Sequence, residues 1–432
     1  MKQHKLPRGL RAALTVLVIL VLSVALTQWR QNGSTWATGQ WDDASQALVF
    51  GRMLQMQQKQ SAPGGFMGVY TEEWGDVQNK YLYRENTPVE PEQYQSYTHQ
   101  TGLQGWGFAV LNKVLSVWQE EGEARERALY TLNSILYYAI TLCLCLVAWR
   151  AVGAVPALGW LAAALLAPWV QRGMKDLYWC LWLWWLPMLA GIWLCAVIRR
   201  RGQTPWWACV PLFAAVFVRC LCGFEFISVY LILSELPLVW CWAEDLAARR
   251  PARPWLGRMT AAGVAGVGGV AAALGAWLVQ GVFYYGNWQD SLNNVLGAVA
   301  TRVSVSDNTV REVTVGQVVT KYLTDPDPVL QLGTVGIPVA VLIGATAAVL
   351  LLTAALLAWR DRAALRQLLP LVCVWGLSLA APLSWMVLSK AHADIHVQLI
   401  PMLWHFALVP VSCLVIGACL TRVALCSGRR GV

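Results

Sequence analysis

Charged residues are scarce in this 432-residue sequence, in which Asp, Glu, Lys and Arg together make up only 13%. A soluble domain typically carries about 25% charge. Hydrophobic residues make up 57% of the chain and include 25 tryptophans, and they recur in apolar runs of bilayer length. Runs of this length are typical of membrane-spanning helices. The composition therefore excludes an ordinary soluble domain and predicts an all-α integral membrane protein.

About ten apolar segments are predicted to cross the membrane. They are residues 10–28, 128–149, 152–170, 176–198, 205–221, 224–243, 257–283, 334–358, 369–388 and 399–420. The first also resembles a signal peptide, with a weak cleavage site at Ser23-Val24-Ala25. Because its apolar run is long for a signal peptide, we expect it to be retained as a span.

The distribution of basic residues predicts the orientation of the chain. With a cytoplasmic N-terminus, 18 of the 33 Lys and Arg residues fall in the short inner segments, as the positive-inside rule expects. We therefore predict a multi-pass protein of the cytoplasmic (inner) membrane with both termini in the cytoplasm. The net charge of +9 is then a topology signal, and nucleic acid is not an expected partner.

Two long hydrophilic segments, 29–127 and 284–333, fall on the outer side. The first holds 12 acidic and 8 basic residues, the second 5 and 3, and neither contains cysteine. All 12 cysteines lie in or beside spans, which excludes a disulfide scaffold. We divide the chain into a transmembrane module (1–283, including the first outer loop), the second outer loop (284–333) and C-terminal transmembrane helices (334–432).

Short helices are expected within both outer segments. Residues 41–57 have the apolar spacing of an amphipathic helix, with an acid in the first turn, where the helix dipole favours it. Residues 61–97 are predicted to be irregular loop. Residues 102–118 carry tryptophans at both ends of the segment and are predicted to lie in the membrane interface. The second outer segment should begin with another short helix.

Two polar groups precede the middle of the chain. Asp42 and Asp43 are either acids of a surface helix or a general base near the outer membrane face. Arg172 and Lys175 lie in a short outer turn, against the positive-inside bias. They are expected either to bind a lipid phosphate or to extend towards headgroups.

Two further groups follow. Glu225 lies at the outer end of a span and fits a role at the active face, whereas Glu235 lies inside an apolar run and is either functional or hydrogen-bonded to a neighbouring helix.

The stretch "KAHADIHVQ" (390–398) fills a short outer gap between two spans. Lys390, His392 and His396 suit a phosphate, while His392, Asp394 and His396 form a weaker alternative metal site. Plain interfacial polarity is the third interpretation of this gap.

Five stretches together resemble the GT-C class of integral-membrane glycosyltransferases. They are "WDDASQALVFGRM", "GLQGWGFAVLNKV", "KDLYWCLWLWWLP", "GFEFISVYLILSELP" and "PLSWMVLSKAHADIHVQLIPMLW". The resemblance implies a polyprenyl-phosphate-linked sugar donor, Asp42 or Asp43 as the catalytic carboxylate, and a donor phosphate held by Arg172, Lys175, Lys390 and the nearby histidines. The chain lacks that class's large soluble C-terminal domain and a second acidic pair, so a divalent metal is only a possible cofactor.

The expected function is inverting transfer of a sugar to a glycan or other envelope acceptor at the outer membrane face. Departure of a phosphate needs positive neighbours more than an acid, which explains one carboxylate among several basic residues. A transporter or flippase of lipid-linked saccharides is the main alternative, for which Glu235 is the best residue. A non-enzymatic envelope assembly protein is the second alternative.

Overall fold

The computed structural model describes residues 7–32, 42–61, 63–71, 78–303 and 313–428 and confirms a nearly all-α protein. Its helices are α1 Arg8–Gln31, α2 Asp43–Gln57, α3 Gln78–Glu85, α4 Leu103–Leu115, α5 Gly122–Val152, α6 Ala154–Leu166, α7 Pro168–Gly173, α8 Leu186–Arg201, α9 Val210–Cys222, α10 Ile227–Ala247, α11 Pro254–Tyr285, α12 Trp288–Val303, α13 Val315–Thr324, α14 Val339–Arg360, α15 Arg362–Arg366, α16 Leu369–Leu388, α17 Lys390–Ile395, α18 Ile400–His405 and α19 Leu408–Gly428. Two small antiparallel ribbons pair β1 Gly68–Val69 with β2 Gln95–Ser96, and β3 Leu330–Leu332 with β4 Val335–Ile337.

Eight helical segments of the described residues are long and apolar enough to cross a membrane. They comprise α1, α5, α8 with the 3₁₀ turn before it, α10, α11, α14, α15 with α16, and α19. One end of this bundle carries the two long polar segments, and we call it the loop face. The other end carries Arg199–Arg201, Arg249, Arg250 and Arg258, and we call it the basic face.

Two shorter apolar helices, α6 and α9, also run between these faces. The chain beyond α6 and α7 reaches the loop-face third of α5, where Asn133 Nδ2 donates to the Asp176 carbonyl at 2.7 Å. The start of α9 lies near the basic face, where Arg201 covers the Trp207 ring, and at its end Gln104 Nε2 donates to the Cys222 carbonyl at 2.7 Å. These contacts favour ten crossings, a number that stays a prediction.

Two membrane helices extend beyond the bilayer on the loop face. At a rise of about 1.5 Å per residue, the 31 residues of α5 and the 32 of α11 span roughly 46 and 48 Å, against an apolar core of about 30 Å. The loop-face end of α11 donates from Trp277 Nε1 to the Thr98 carbonyl and from Gln280 Nε2 to the Thr101 carbonyl. These extensions therefore anchor the first polar segment.

Helix α2 is more deeply enclosed than its sequence predicts. The predicted helix forms, but its residues 46–55 are all buried, so the exposed face expected of an amphipathic helix is missing along that stretch. Trp41, where the prediction began, lies outside the described residues. The surrounding segment supplies the cover: a Cβ on Gly51 would lie 2.0 Å from the Gly68 carbonyl oxygen of β1. The close crossing of α2 and β1 therefore needs glycine at position 51.

The segment 61–97, predicted to be irregular, contains regular elements in its described parts. Helix α3 forms there, and β1 pairs with β2. Helix α4 has the expected apolar outer side, on which Trp106 and Val110 are 39% and 50% exposed, opposite a buried side that includes Phe108. The second polar segment begins with α12, as predicted.

Two predicted spans are interrupted. Residues 174–180 form a non-helical turn before a 3₁₀ turn (Leu181–Trp185) and α8. The stretch 399–420 divides into α18 and α19, with Pro401 in the first turn of α18, a position where proline is tolerated. Both interruptions lie towards the loop face and place polar backbone beside the candidate site.

Candidate functional site

Asp42 and Asp43 begin α2, the helix enclosed at the loop face. Asp42 is the N-cap: its Oδ1 accepts from the Ser45 backbone N–H at 3.1 Å, as capping residues commonly do. Its Oδ2 accepts from Trp179 Nε1 at 2.9 Å. Asp42 therefore caps α2 with one oxygen and holds it against the turn at 174–180 with the other.

Asp43 has a different electrostatic environment. Burial raises the pKa of its carboxyl, Lys80 and Lys175 oppose that shift, and Asp42 and Glu126 add to it. A carboxylate with a raised pKa and two lysines within electrostatic range is a stronger proton acceptor than an exposed aspartate. Of the two predicted acids, Asp43 therefore fits a general base better.

The predicted pair Arg172 and Lys175 separates in the structure. Arg172 is exposed at the end of α7, with its guanidinium 5.0 Å from the Trp169 ring centroid. Lys175 is only 5% exposed and lies near Asp43 and Lys80. Burial lowers the pKa of Lys175, and Lys80 lowers it further. Lys175 therefore lies with Asp43 and Lys80, whereas Arg172 is exposed.

Asp176, the residue after Lys175, lies near Asp42 and Asp43, and the sequence did not assign it a role. Its side chain is fully buried, and Oδ1 accepts from the backbone N–H groups of Tyr178 and Trp179 at 2.9 and 3.0 Å. Oδ2 is buried without a hydrogen-bond partner among the described residues. Burial raises the pKa of Asp176 well above its ordinary value, and the charge of Asp42 adds to the shift. An acid at the edge of an apolar run, directly after Lys175, was the available sequence signal.

Lys80 and Glu126 were also missed. Glu126 of α5 is 1% exposed and accepts from Lys80 Nζ at 3.0 Å and from Arg84 Nε at 2.5 Å. This contact joins α3 to α5 and fixes Lys80 beside Asp43. We call Asp42, Asp43, Lys80, Lys175 and Asp176 the acid cluster.

Glu225 is buried in the tight turn between α9 and α10. Arg219 Nη1 donates to the Gly223 carbonyl at 3.0 Å and Nη2 to the Glu225 carbonyl at 3.4 Å, so the arginine closes this turn through backbone atoms. Phe226, the next residue, is left-handed (φ 63°) and points into a group of aromatic rings. The turn therefore places Glu225 directly before Phe226, whose ring packs against other aromatic side chains.

The stretch 390–396 forms α17 and its C-cap. The rings of His392 and His396 lie 4.3 Å apart, which confirms that the i, i+4 spacing brings them together. Asp394 pairs with Lys321 of α13 at 3.0 Å, and Tyr322 donates to the Ala393 carbonyl at 3.0 Å. Lys390 is half-buried and forms no hydrogen bond or ion pair with the described residues.

A row of rings connects the acid cluster to the histidines. Centroid distances are 6.0 Å from Trp179 to Phe226, 5.1 Å from Phe226 to Trp385, and 5.8 Å from Trp385 to His392. Because Trp179 also binds Asp42, the early acids and the late histidines stand at the two ends of one continuous wall. We call these four side chains the aromatic row.

The alternative metal site receives no support from the geometry. Across the described ranges, no group of three or more His, Cys, Asp or Glu is arranged to hold a metal ion. Asp394, the required carboxylate, is directed to Lys321.

The membrane part contains two further features. A cavity of about 190 Å³ lies among α5, α6, α8, α10, α16 and α19, lined almost entirely by apolar side chains such as Trp160, Ile192 and Leu371. Glu235 of α10 lies near Gly263 of α11, and both of its carboxylate oxygens are buried without hydrogen-bond partners among the described residues. The predicted hydrogen bond from Glu235 to a neighbouring helix is thus not formed there.

Comparison with known proteins found no matching family model, no matching curated protein and no matching solved structure.

Proposed function

We propose that this protein transfers a sugar from a polyprenyl-phosphate donor to a glycan or other envelope acceptor, at the outer face of the cytoplasmic membrane. The observation that supports it is the acid cluster, in which Asp43 lies near Lys80 and Lys175 at the loop-face end of an apolar helical bundle. A base and basic neighbours at one membrane face suit a reaction between a lipid-anchored phosphate sugar and an external hydroxyl.

In the proposed step, Asp43 takes the proton of the acceptor hydroxyl. The acceptor oxygen forms a bond to the anomeric carbon as the bond from that carbon to the phosphate oxygen breaks, with inversion. The polyprenyl phosphate leaves with the electron pair, and Lys175, which lies near Asp43, stabilises its charge.

Paired variants test this proposal. Asp43→Asn should lower transfer of a radiolabelled sugar from a polyprenyl-phosphate donor by roughly 10²- to 10⁴-fold, the usual contribution of a general base. Asp42→Asn keeps an acceptor oxygen for only one of the Ser45 and Trp179 contacts but leaves the base in place, so it should have a smaller effect. Because the pKa of Asp43 is raised, activity should increase with pH through a value above that of an ordinary aspartate. Unchanged transfer by the double variant would rule out the mechanism.

A second candidate function, transport of a lipid-linked saccharide, is favoured by Glu235. An ionisable side chain that is buried in a membrane span without a hydrogen-bond partner among the described residues is a functional candidate in its own right. Glu235→Gln should abolish movement of a labelled lipid-linked saccharide across vesicles if transport is the function, and Asp43→Asn should leave that movement intact. The opposite pattern, loss of sugar transfer only in Asp43→Asn, supports the transferase.

A further inference from the structure

A second cavity at the loop face carries an unusual charge balance. It has a volume of about 640 Å³ and lies among the C-terminal half of α2, the turn that follows it, α4 and the end of α11. Among the described residues its lining includes Arg52, Lys59 and Lys113 but no aspartate or glutamate, whereas the polar segment around it holds more acids than bases. The described lining is therefore locally positive.

Arg52 is the buried member of this set. It is 5% exposed, and in the described parts of the chain no carboxylate forms an ion pair with it. Nη1 donates to Gln55 Oε1, the guanidinium also hydrogen-bonds the Tyr94 side chain and lies 3.5 Å from the Trp106 ring centroid, and Nε is buried without a partner among the described residues. These contacts are with uncharged groups, so they offset only part of the cost of burying the cation.

The other lining residues indicate the kind of anion that fits. Lys59 and Lys113 are exposed cations and Trp106 is 39% exposed, whereas the Gln60 amide is engaged by the Val89 carbonyl and the Tyr70 hydroxyl. The volume lies within the range of roughly 300–1,000 Å³ that small-molecule sites occupy. Two exposed cations and an indole surround Arg52, an arrangement that suits a hydroxylated ring bearing a carboxylate or phosphate.

We propose that this cavity binds an acidic saccharide unit, with Arg52 as the main partner of its charge and Trp106 as the surface against which its ring packs. The site is separate from the acid cluster. Arg52 follows Asp43 by nine residues of α2, which places it about 13 Å along the axis and on the opposite side of the helix. The proposal therefore stands independently of the transferase function.

Binding measurements on the full chain in nanodiscs test the proposal. Calorimetric titrations would use glucuronic acid and glucose 6-phosphate as acidic probes, glucose as the neutral probe and inorganic phosphate as the anion alone. We expect the acidic sugars to bind at least tenfold more tightly than glucose or phosphate, with affinity that falls as salt increases. Glucose binding as well as glucuronic acid, or phosphate binding as tightly as glucose 6-phosphate, would overturn the proposal.

Two variants and a control locate the site. Arg52→Gln should weaken acidic-sugar binding at least tenfold, and Lys59→Ala with Lys113→Ala several-fold. The two lysines are exposed, so their replacement tests the site even if Arg52→Gln fails to fold. Arg127→Gln, which removes an exposed cation of α5 outside the cavity, should leave binding unchanged. Unaltered binding in the double lysine variant, or equal loss in Arg127→Gln, contradicts the proposal.

Discussion

Asp176 shows at the scale of one residue how the turn at 174–180 is held. Its Oδ1 accepts two backbone N–H groups, and the second of these belongs to Trp179, whose indole in turn binds Asp42. The carboxyl group is therefore linked, through one residue, to the cap of the helix that carries Asp43. A change at Asp176 should alter both the stability of the turn and the position of the acids.

Replacing Asp176 should separate its hydrogen-bonding role from its charge. Asp176→Ala leaves two buried amides without their acceptor and should destabilise the protein by about 2 kcal/mol or more. Asp176→Asn keeps the acceptor and removes only the titration. Since the pKa of Asp176 is raised in the folded state, wild-type stability should fall as pH rises from about 4 through that raised value. Asp176→Asn should lack this decline.

Thermal unfolding in detergent across this pH range measures the effect. Similar losses for Asp176→Ala and Asp176→Asn at low pH would show that the two amide contacts do not matter. A parallel decline with pH in wild type and Asp176→Asn would show that Asp176 is not the titrating group.

Sequence reasoning identified residues next to one another but not partners distant in sequence. The proximity of His392 and His396 followed from helical spacing, and the acid in the first turn of α2 followed from the helix dipole. Lys80 could not be placed beside Asp43, since that contact depends on how α3 packs on α5. The role of Asp394 was similarly hidden, because its partner Lys321 lies 73 residues earlier.

At the scale of elements, α3 is held to α5 mainly through Glu126. This carboxylate is buried and contacts two cations, Lys80 and Arg84, whose side chains are 15% and 24% exposed. Glu126→Gln would leave both cations without their counter-charge in a mostly enclosed site. We expect a loss of about 3 kcal/mol in the free energy of unfolding, with a lower thermal midpoint in detergent.

Glu123→Gln is the matched control, since Glu123 is an exposed acid one turn earlier on α5. It should change the free energy of unfolding by less than about 1 kcal/mol, as expected for exposed charges. Comparable losses in the two variants would mean that general charge reduction, and not the contact between α3 and α5, sets the stability.

Apolar runs predicted the membrane helices well but not their interruptions. The run 176–198 is apolar apart from Asp176 at its edge, so hydropathy gives no reason for helix α8 to begin only at Leu186. The turn before it is fixed by Asp176 together with Asn133 and Gln46, which lie far from it in sequence. For the same reason, α2 was recognised as a helix while the burial of its residues 46–55 was not.

At the scale of the whole molecule, the number of membrane crossings decides on which side of the membrane the segment around Gln203 lies. If α6 and α9 both cross, Gln203 lies on the same side as the N-terminus, with Arg199–Arg201 beside it. If only the eight longer segments cross, Gln203 moves to the side of the loop face, and three arginines move with it. The positive-inside rule and the contacts at both ends of α6 and α9 favour the first arrangement.

Labelling with a membrane-impermeant thiol reagent in intact cells distinguishes these arrangements. Both Gln203 and Glu120 are exposed, and every native cysteine within the described residues is buried or partly buried. Glu120→Cys, on the loop face, should be labelled in intact cells, whereas Gln203→Cys should be labelled only after the membrane is permeabilised. Labelling of Gln203→Cys in intact cells would exclude ten crossings. Labelling of Gln203→Cys without labelling of Glu120→Cys would place the acid cluster in the cytoplasm and so rule out the proposed reaction at the outer face.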